Sequence, residues 1–144
     1  KIAALFGGVG VDVETKTAGN ADGIEKTLDA IREAEASGEP TFVWTNLVDF
    51  DELYGHRRDA PGYAAALEAF DAALPALEAA LPPGAVLTLT ADHGNDPTYA
   101  GSDHTRERVP VLRFSKGRAP GRDLGTSDSF AAHAADVRAF FDAS

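Results

Sequence analysis

Val86-Leu-Thr-Leu-Thr-Ala-Asp-His-Gly-Asn-Asp-Pro-Thr98 is the stretch of sequence that decides the fold. Its first five residues are apolar or β-branched, which is typical of a buried strand. Asp92 and His93 follow directly, so oxygen and nitrogen donors stand where the strand ends. The ends of strands are where α/β sheets bind ligands and metals. The stretch therefore predicts an α/β protein with a metal site at the edge of its sheet.

A second stretch repeats this arrangement upstream. The apolar run Thr41–Val48 predicts a buried strand, and Asp49, Asp51 and His56 follow it. Each Asp or His alone is more often a solvated side chain or a cap than a ligand. Five donors at the ends of two neighbouring strands instead favour a paired-metal site, composed of Asp51, His56, Asp92, His93 and His104. Mixed carboxylate and imidazole ligands suit Mn²⁺, Zn²⁺ or Fe²⁺ better than Ca²⁺.

The remaining pattern alternates helices with strands. Asn20 or Asp22 is expected to cap a helix that ends near Gly38, and a long helix is expected over 61–81. Further elements are strands at Ala3–Phe6 and Val109–Phe114, a loop over 51–58, a long loop over 91–109, and a last helix from Ser127 or Ser129 to Phe141. This order indicates right-handed crossovers and a mostly parallel sheet.

The expected core follows from the apolar positions of these elements. The buried stripe of the long helix is expected at helical spacing, and Trp44 is expected inside its strand. The core residues predicted for the two helices are Leu67, Phe70, Leu74, Leu77, Phe130, Val137 and Phe140 or Phe141. His133 lies in the last helix, away from both clusters of donors, and is expected to be an ordinary residue of the helix surface.

Composition excludes several classes of function. The 144 residues suffice for one domain with a core, and 44% hydrophobic and 25% charged residues are ordinary for globular proteins. A net charge of −10 argues against a nucleic-acid or anionic-membrane partner. No apolar run approaches the roughly 20 residues of a membrane span. The absence of cysteine excludes disulfides and thiolate sites and fits a cytoplasmic protein. The absence of methionine leads us to expect a piece of a longer polypeptide.

Three stretches of the sequence resemble the phosphopentomutase family of the alkaline phosphatase superfamily. They are Asn46-Leu-Val-Asp-Phe-Asp-Glu-Leu-Tyr-Gly-His-Arg-Arg-Asp59, Ala91-Asp-His-Gly-Asn-Asp-Pro-Thr98 and Gly101-Ser-Asp-His-Thr-Arg-Glu-Arg-Val-Pro110. The Asp-His-Gly triplet also occurs in cofactor-independent phosphoglycerate mutases, whereas the Tyr-Gly-His-Arg-Arg-Asp and Asp-His-Thr-Arg-Glu runs are more specific. The resemblance covers residues 1–144 as a single partial domain, the C-terminal part of the family's catalytic domain.

The resemblance implies a fold, a cofactor and a reaction. The fold is a three-layer α/β/α core with a mostly parallel sheet. Asp51, His56 and His104 match the ligands of one manganese ion, and Asp92 and His93 match two ligands of a second. Members of the family interconvert α-D-ribose 1-phosphate, or its 2-deoxyribose counterpart, and the 5-phosphate. A phosphothreonine of the enzyme donates the phosphoryl group to the bound pentose phosphate.

The sequence departs from the family in what it lacks. The N-terminal strands, the nucleophilic threonine and the cap domain have no counterpart in this sequence. The resemblance therefore implies no catalytic nucleophile here, a need for the missing segments for activity, and exposed apolar surface on the chain alone. Asn95 stands where many members have cysteine, and we expect this difference to be tolerated.

Several assignments stay open. Arg57 and Arg58 suit a substrate phosphate, because arginine binds phosphate bidentately, but salt bridges to Asp49 or Asp59 are equally compatible. Arg106, with its neighbour Glu107, either orients the loop of His104 or is solvated. The alternative functions are another superfamily phosphotransferase, such as cofactor-independent phosphoglycerate mutase, and a metal-binding domain without catalysis.

Overall fold

The computed structural model describes residues 7–117 and 121–142 and has an α/β architecture. The predicted strand at Ala3–Phe6 lies outside the described residues. The elements, in chain order, are α1 (Asn20–Ser37), a π-helix (Phe50–Gly55), α2 (Ala60–Ala80), β1 (Val86–Leu89), β2 (Leu112–Ser115) and α3 (Ala131–Asp142). No helix in the described part of the chain is both long and apolar enough to cross a membrane.

Helix α1 obtains its N-terminal hydrogen bond from a distant carboxylate. The N-cap is Gly19, and neither predicted cap, Asn20 or Asp22, fills that role. Instead the backbone N–H of Asn20 donates to Asp49 Oδ2 at 2.7 Å, and the backbone N–H of Asp49 donates to Asn20 Oδ1 at 3.0 Å. A Cβ atom at Gly19 would lie 2.9 Å from Asp49 Oδ2, so the carboxylate can approach only a glycine. At the other end Gly38 adopts φ 70°, as the predicted helix end requires.

Helix α2 begins and ends where local sequence predicts. The Asp59 side chain accepts a hydrogen bond from the backbone N–H of Gly62 at 2.9 Å. Pro61 lies in the first turn, where its missing N–H leaves no intrahelical hydrogen bond unmade. Pro82 and Pro83 follow the last turn. The predicted span of 61–81 is therefore confirmed to within one residue at each end.

The described residues form one two-stranded sheet. Strands β1 and β2 are antiparallel, with Leu87 opposite Phe114 and Leu89 opposite Leu112. A mostly parallel sheet is not found in the described part of the chain. The predicted strand Thr41–Val48 is wrong, because no described strand lies beside it to form a hydrogen-bonded ladder. Trp44 was predicted to lie inside this strand, but it is 60% exposed.

The core lies where α1, the C-terminal half of α2 and the sheet meet. Its buried hydrophobic residues are Ile31, Leu77 and Leu81, and the half-buried residues packed against them include Ile24, Leu28, Phe70, Leu74, Leu87 and Phe114. Leu67 is exposed, contrary to prediction, because the core covers only the C-terminal half of α2.

Helix α3 contributes no buried residue. Phe130 is exposed, which corrects the prediction that it is a core residue, whereas Val137 is half-buried. Of the alternatives Phe140 and Phe141, Phe140 is exposed and Phe141 is half-buried. An ion pair of 2.6 Å between Arg113 Nη2 of β2 and Asp136 Oδ2 links α3 to the sheet. The helix therefore lies outside the core, and this ion pair joins it to β2.

Candidate metal centre

The π-helix brings two of the predicted ligands onto one face. The backbone N–H of His56 donates to the carbonyl oxygen of Asp51 at 2.9 Å, which is the i to i−5 hydrogen bond of a π-turn. One turn therefore separates the two residues, so their side chains lie on the same side. The loop predicted over 51–58 is corrected to a π-helix followed by a turn. The five-residue spacing of Asp51 and His56 was the signal that could have indicated it.

A bridge across the long loop brings together two further ligands. The backbone N–H of Thr105 donates to the carbonyl oxygen of Gly94 at 3.0 Å. The rings of the preceding residues, His93 and His104, therefore stack, with centroids 3.7 Å apart and an interplanar angle of 19°. A Cβ atom at Gly94 would lie 2.8 Å from the backbone carbonyl oxygen of Thr105, so this approach of the two segments requires glycine.

Asp51 lies at the centre of the cluster. Its Oδ1 is 3.4 Å from His104 Nε2, and its Oδ2 is 3.4 Å from His56 Nε2. Donor atoms of Asp51, His93 and His104 all lie within 4.8 Å of one another. Asp92 is at the margin, with its side chain 73% exposed and its Oδ1 3.5 Å from His93 Nε2. The structure thus brings four of the five predicted ligands together, with Asp92 beside them.

This grouping crosses the two predicted ligand sets. The family resemblance assigns His104 to one ion with Asp51 and His56, and His93 to another ion with Asp92. In the structure His93 stacks on His104 and shares a group with Asp51. The division of the ligands between two ions therefore remains a prediction.

The hydrogen bonds of the imidazoles suit metal binding. His56 Nδ1 lies 2.5 Å from the carbonyl oxygen of Ser102, and His93 Nδ1 lies 3.3 Å from the carbonyl oxygen of Gly94. Because a carbonyl oxygen only accepts, Nδ1 is the donor in both contacts, and in a neutral ring the free electron pair therefore lies on Nε2. Metal-ligating histidines characteristically donate their second nitrogen to such an acceptor. The residues present therefore fit a divalent transition metal.

The cluster opens into a cleft of about 200 Å³. Its lining includes Asn46 and Glu52 beside the predicted ligands. Neither residue was selected from the sequence, although both lie in the stretch that carries the family resemblance. A neighbouring cleft of about 320 Å³ includes Tyr63 and Glu107. Burial raises the pKa of Tyr63 above its ordinary value of 10.0, with smaller contributions from the Glu107 and Asp51 carboxylates.

The two arginines of the Tyr-Gly-His-Arg-Arg-Asp run have different surroundings. Arg58 donates hydrogen bonds to oxygen atoms of the loop over 91–109 and of Gly55, and forms no ion pair with Asp49 or Asp59 in the described part of the chain. Arg57 is exposed and makes no hydrogen bond or ion pair with residues 7–117 or 121–142. Arg57 is therefore the one with guanidinium donors available to a ligand.

Three polar residues of the long loop bond within the loop or to the π-helix. Asn95 is 8% exposed and donates from Nδ2 to Asp51 Oδ1 at 2.6 Å, a contact that the sequence did not predict. The side chain of Glu107 accepts a hydrogen bond from Thr105 Oγ1 at 2.7 Å, which supports an orienting contribution to the loop of His104. Arg106 is exposed. Asp96 Oδ1 accepts from the backbone N–H and Oγ1 of Thr98, so it caps a turn.

The family model and the related proteins point to the same family. The family model described as the metalloenzyme superfamily matches residues 7–144. The chain is 55% identical over 131 residues to the phosphopentomutase of Symbiobacterium thermophilum, an alignment that covers 91% of this chain and 32% of the relative. It is 52% identical over 139 residues to the phosphopentomutase of Methylorubrum extorquens strain PA1, covering 96% and 33%. It is 56% identical over 131 residues to that of Rhizobium meliloti, covering 91% and 31%.

The alignments cover nearly the whole chain but a minor part of each relative. The chain spans about a third of the length of the curated relatives that it matches, since the matched shares are 32%, 33% and 31%.

Proposed function

The chain belongs to the metalloenzyme superfamily, and on this basis we propose that it supplies metal ligands to a phosphopentomutase. The proposed reaction interconverts α-D-ribose 1-phosphate, or 2-deoxyribose 1-phosphate, and the corresponding 5-phosphate. The observation that carries the proposal is the convergence of Asp51, His93 and His104, whose donor atoms lie within 4.8 Å of one another. The identity of 52–56% to phosphopentomutases supports the choice of reaction within the superfamily.

The proposal treats the chain as the C-terminal part of a catalytic domain. The complete domain would have the three-layer α/β/α core with a mostly parallel sheet, and a cap domain would complete the active site. We place the phosphorylated threonine in the part of the relatives that this chain does not match, so the proposal assigns no nucleophile here. A cytoplasmic location fits the cysteine-free composition.

The chain's own residues would bind and orient the reacting groups. Bound manganese would supply charge neutralisation for the transferred phosphoryl group. Asp51, His56 and His104 would hold one ion, and Asp92 and His93 would contribute to the second. The carbonyl oxygens of Ser102 and Gly94 hold the Nδ1 protons of His56 and His93, which leaves each Nε2 available as a ligand. Arg57, exposed next to His56, would bind the substrate phosphate.

Manganese binding by the chain tests the ligand assignment. Titration of the full chain with Mn²⁺, followed by the electron paramagnetic resonance signal of the free ion, should show saturable binding. Asp51→Ala and His104→Ala should each abolish binding at the half-site that they share. His133→Ala is the matched control, because His133 lies on α3 and should leave the stoichiometry unchanged. A Mn²⁺ stoichiometry unchanged from the wild-type chain in both the Asp51 and the His104 variant would refute the assignment.

A chimera tests the reaction. The matched third of the Symbiobacterium thermophilum phosphopentomutase would be replaced by this chain, and turnover of ribose 1-phosphate would be followed by ³¹P nuclear magnetic resonance. Turnover that requires Asp51 would support the proposed function. Manganese binding without turnover would support the alternative of a metal-binding domain. Turnover of a phosphoglycerate in place of the pentose phosphate would support a different phosphotransferase of the superfamily.

A further inference from the structure

Arg58 connects the three segments that carry the proposed ligands. Its Nη1 donates to the carbonyl oxygen of Gly55, at the end of the π-helix, at 3.1 Å. The same nitrogen donates to Asn95 Oδ1 and to the carbonyl oxygen of Asp96, both at 2.8 Å, so one of its two hydrogens is shared between two of these three acceptors. Nη2 donates to the carbonyl oxygen of Asp103 at 2.6 Å, and Nε donates to that of Gly101. Building on the proposed function, we propose that Arg58 is a positioning residue that holds the metal ligands in place, and not a substrate ligand.

The first part of this role is the orientation of Asp51. Because Arg58 Nη1 is a donor, the Asn95 amide must turn Oδ1 towards it, and this directs Nδ2 at Asp51. Asn95 Nδ2 donates to Asp51 Oδ1 at 2.6 Å. Asn95 is 8% exposed, and its amide contacts Gly55 so closely that a Cβ atom there would overlap it. The amide therefore has little freedom, and the orientation chosen by Arg58 is passed to the Asp51 carboxylate.

The second part is the placement of His104. Arg58 binds the carbonyl oxygens of Gly101 and Asp103, and His56 Nδ1 binds the carbonyl oxygen of Ser102 between them. Three consecutive carbonyl groups directly before His104 are thus held by two side chains from the end of the π-helix. These hydrogen bonds fix the backbone before His104 and therefore the position of His104 beside Asp51.

The backbone conformation of Arg58 supports a requirement for its side chain. Its φ is 54°, and it is the one non-glycine residue with positive φ in the described part of the chain. Glycine adopts this conformation at the lowest cost, whereas an arginine there is strained. Such strain persists where surrounding contacts enforce it, and it concentrates at functional sites. The five hydrogen bonds of the guanidinium are those contacts.

The substitution Arg58→Gly measures the effect of the guanidinium alone, because glycine adopts the positive φ without strain. We expect the affinity for Mn²⁺ to fall on the order of 10-fold to 100-fold, as for residues that orient metal ligands. Arg57→Gly is the matched control, since it removes the same charge one residue away and leaves the affinity within about twofold of the wild type. Free guanidinium ion at low millimolar concentration should restore part of the affinity of Arg58→Gly. Equal Mn²⁺ affinity in the two variants, at wild-type helix content, would overturn the proposal.

Hydrogen exchange of the metal-free chain gives a second readout. The backbone N–H of Thr105 is bonded to the Gly94 carbonyl, and that of Asp96 is bonded to Thr105 Oγ1. Both amides should exchange at least tenfold faster in Arg58→Gly than in Arg57→Gly, and unchanged exchange would overturn the role of Arg58. Failure of the wild-type chain to bind Mn²⁺ would instead refute the proposed metal site. The exchange measurement would then still decide whether Arg58 orders the loop.

Discussion

Asp22 anchors the segment before α1 to the first turn of that helix. Its Oδ2 accepts hydrogen bonds of 2.7 Å from the backbone N–H of Ala18 and from Lys26 Nζ, and Lys26 also donates to the carbonyl oxygen of Lys16. The hydrogen bond from Lys26, followed by that from Ala18, lowers the pKa of Asp22 below its ordinary value of 3.8. At residue scale the contribution of Asp22 to stability therefore depends on pH.

The sign of this dependence follows from the lowered pKa. The folded state favours ionised Asp22, so its stabilisation is fully present above pH 3.8 and is lost as the pH falls through the lower folded pKa. Asp22→Asn should reduce the free energy of unfolding at pH 7 and flatten its decline below pH 4. Urea unfolding between pH 7 and pH 2 measures both effects. Glu25→Gln, an exposed carboxylate of the same helix, is the control, and identical pH profiles for the two variants would contradict the prediction.

At the scale of single residues, the sequence predicts which side chains can bind a metal better than it predicts which residues those side chains contact. Asp51, His93 and His104 were predicted as ligands from residue type and position, and the structure groups them. Asp49, two residues from Asp51, stands in the same stretch but binds the backbone of Asn20. Residue type is the same for both aspartates, and only the path of the chain separates their roles. The contacts of Arg58 across more than 40 residues were unpredictable for the same reason.

Helix α1 depends on a hydrogen bond from outside the helix. Because Asp49 Oδ2 satisfies the N–H of Asn20, Asp49→Ala should lower the free energy of unfolding by about 1 kcal/mol, as the loss of a helix cap does. Urea unfolding followed by circular dichroism checks this magnitude. Asp12→Ala provides the comparison, because Asp12 is exposed and makes no hydrogen bond with the described residues. An equal effect of the two substitutions would show that Asp49 does not stabilise α1.

The C-terminal end of α1 and both ends of α2 were predicted well. Gly38 ends α1, and Pro61 and Pro82 delimit α2, because glycine and proline act within a few residues. The strand expected at 41–48 fails because a strand needs a partner, and apolar sequence alone does not supply one. The π-helix could not be predicted from the spacing of apolar residues, because six residues are too few to show a helical repeat. Local chemistry therefore predicts helix limits, whereas pairing and irregular turns depend on the rest of the chain.

The whole molecule exposes more surface than a compact protein of its size. Its accessible surface is 10,383 Å², whereas the scaling relation for a folded monomer of 15.1 kDa gives about 7,100 Å². Phe42 and Trp44 are 55% and 60% exposed, and their rings contact edge to face at 6.0 Å. Exposed apolar side chains in this number are typical of surfaces that pack against other protein segments.

Trp44 is the single tryptophan, so its fluorescence measures this exposure directly. In the isolated chain we expect efficient quenching by acrylamide, because 60% of the residue is exposed. In the chimera with the remaining two thirds of the Symbiobacterium thermophilum enzyme, whose own tryptophans would be replaced, we expect Trp44 to be shielded and quenching to weaken several-fold. Equal quenching in both proteins would show that this surface stays uncovered in the complete enzyme.

The acceptors of Arg58 bear on how this protein can evolve. Four of the five are main-chain carbonyl oxygens, of Gly55, Asp96, Gly101 and Asp103, and every amino acid offers the same group. Substitutions at positions 96 and 103 therefore leave these hydrogen bonds available, whereas an insertion or deletion between 96 and 103 shifts the carbonyls away from the guanidinium. Homologues should consequently vary in the side chains of this loop while keeping its length.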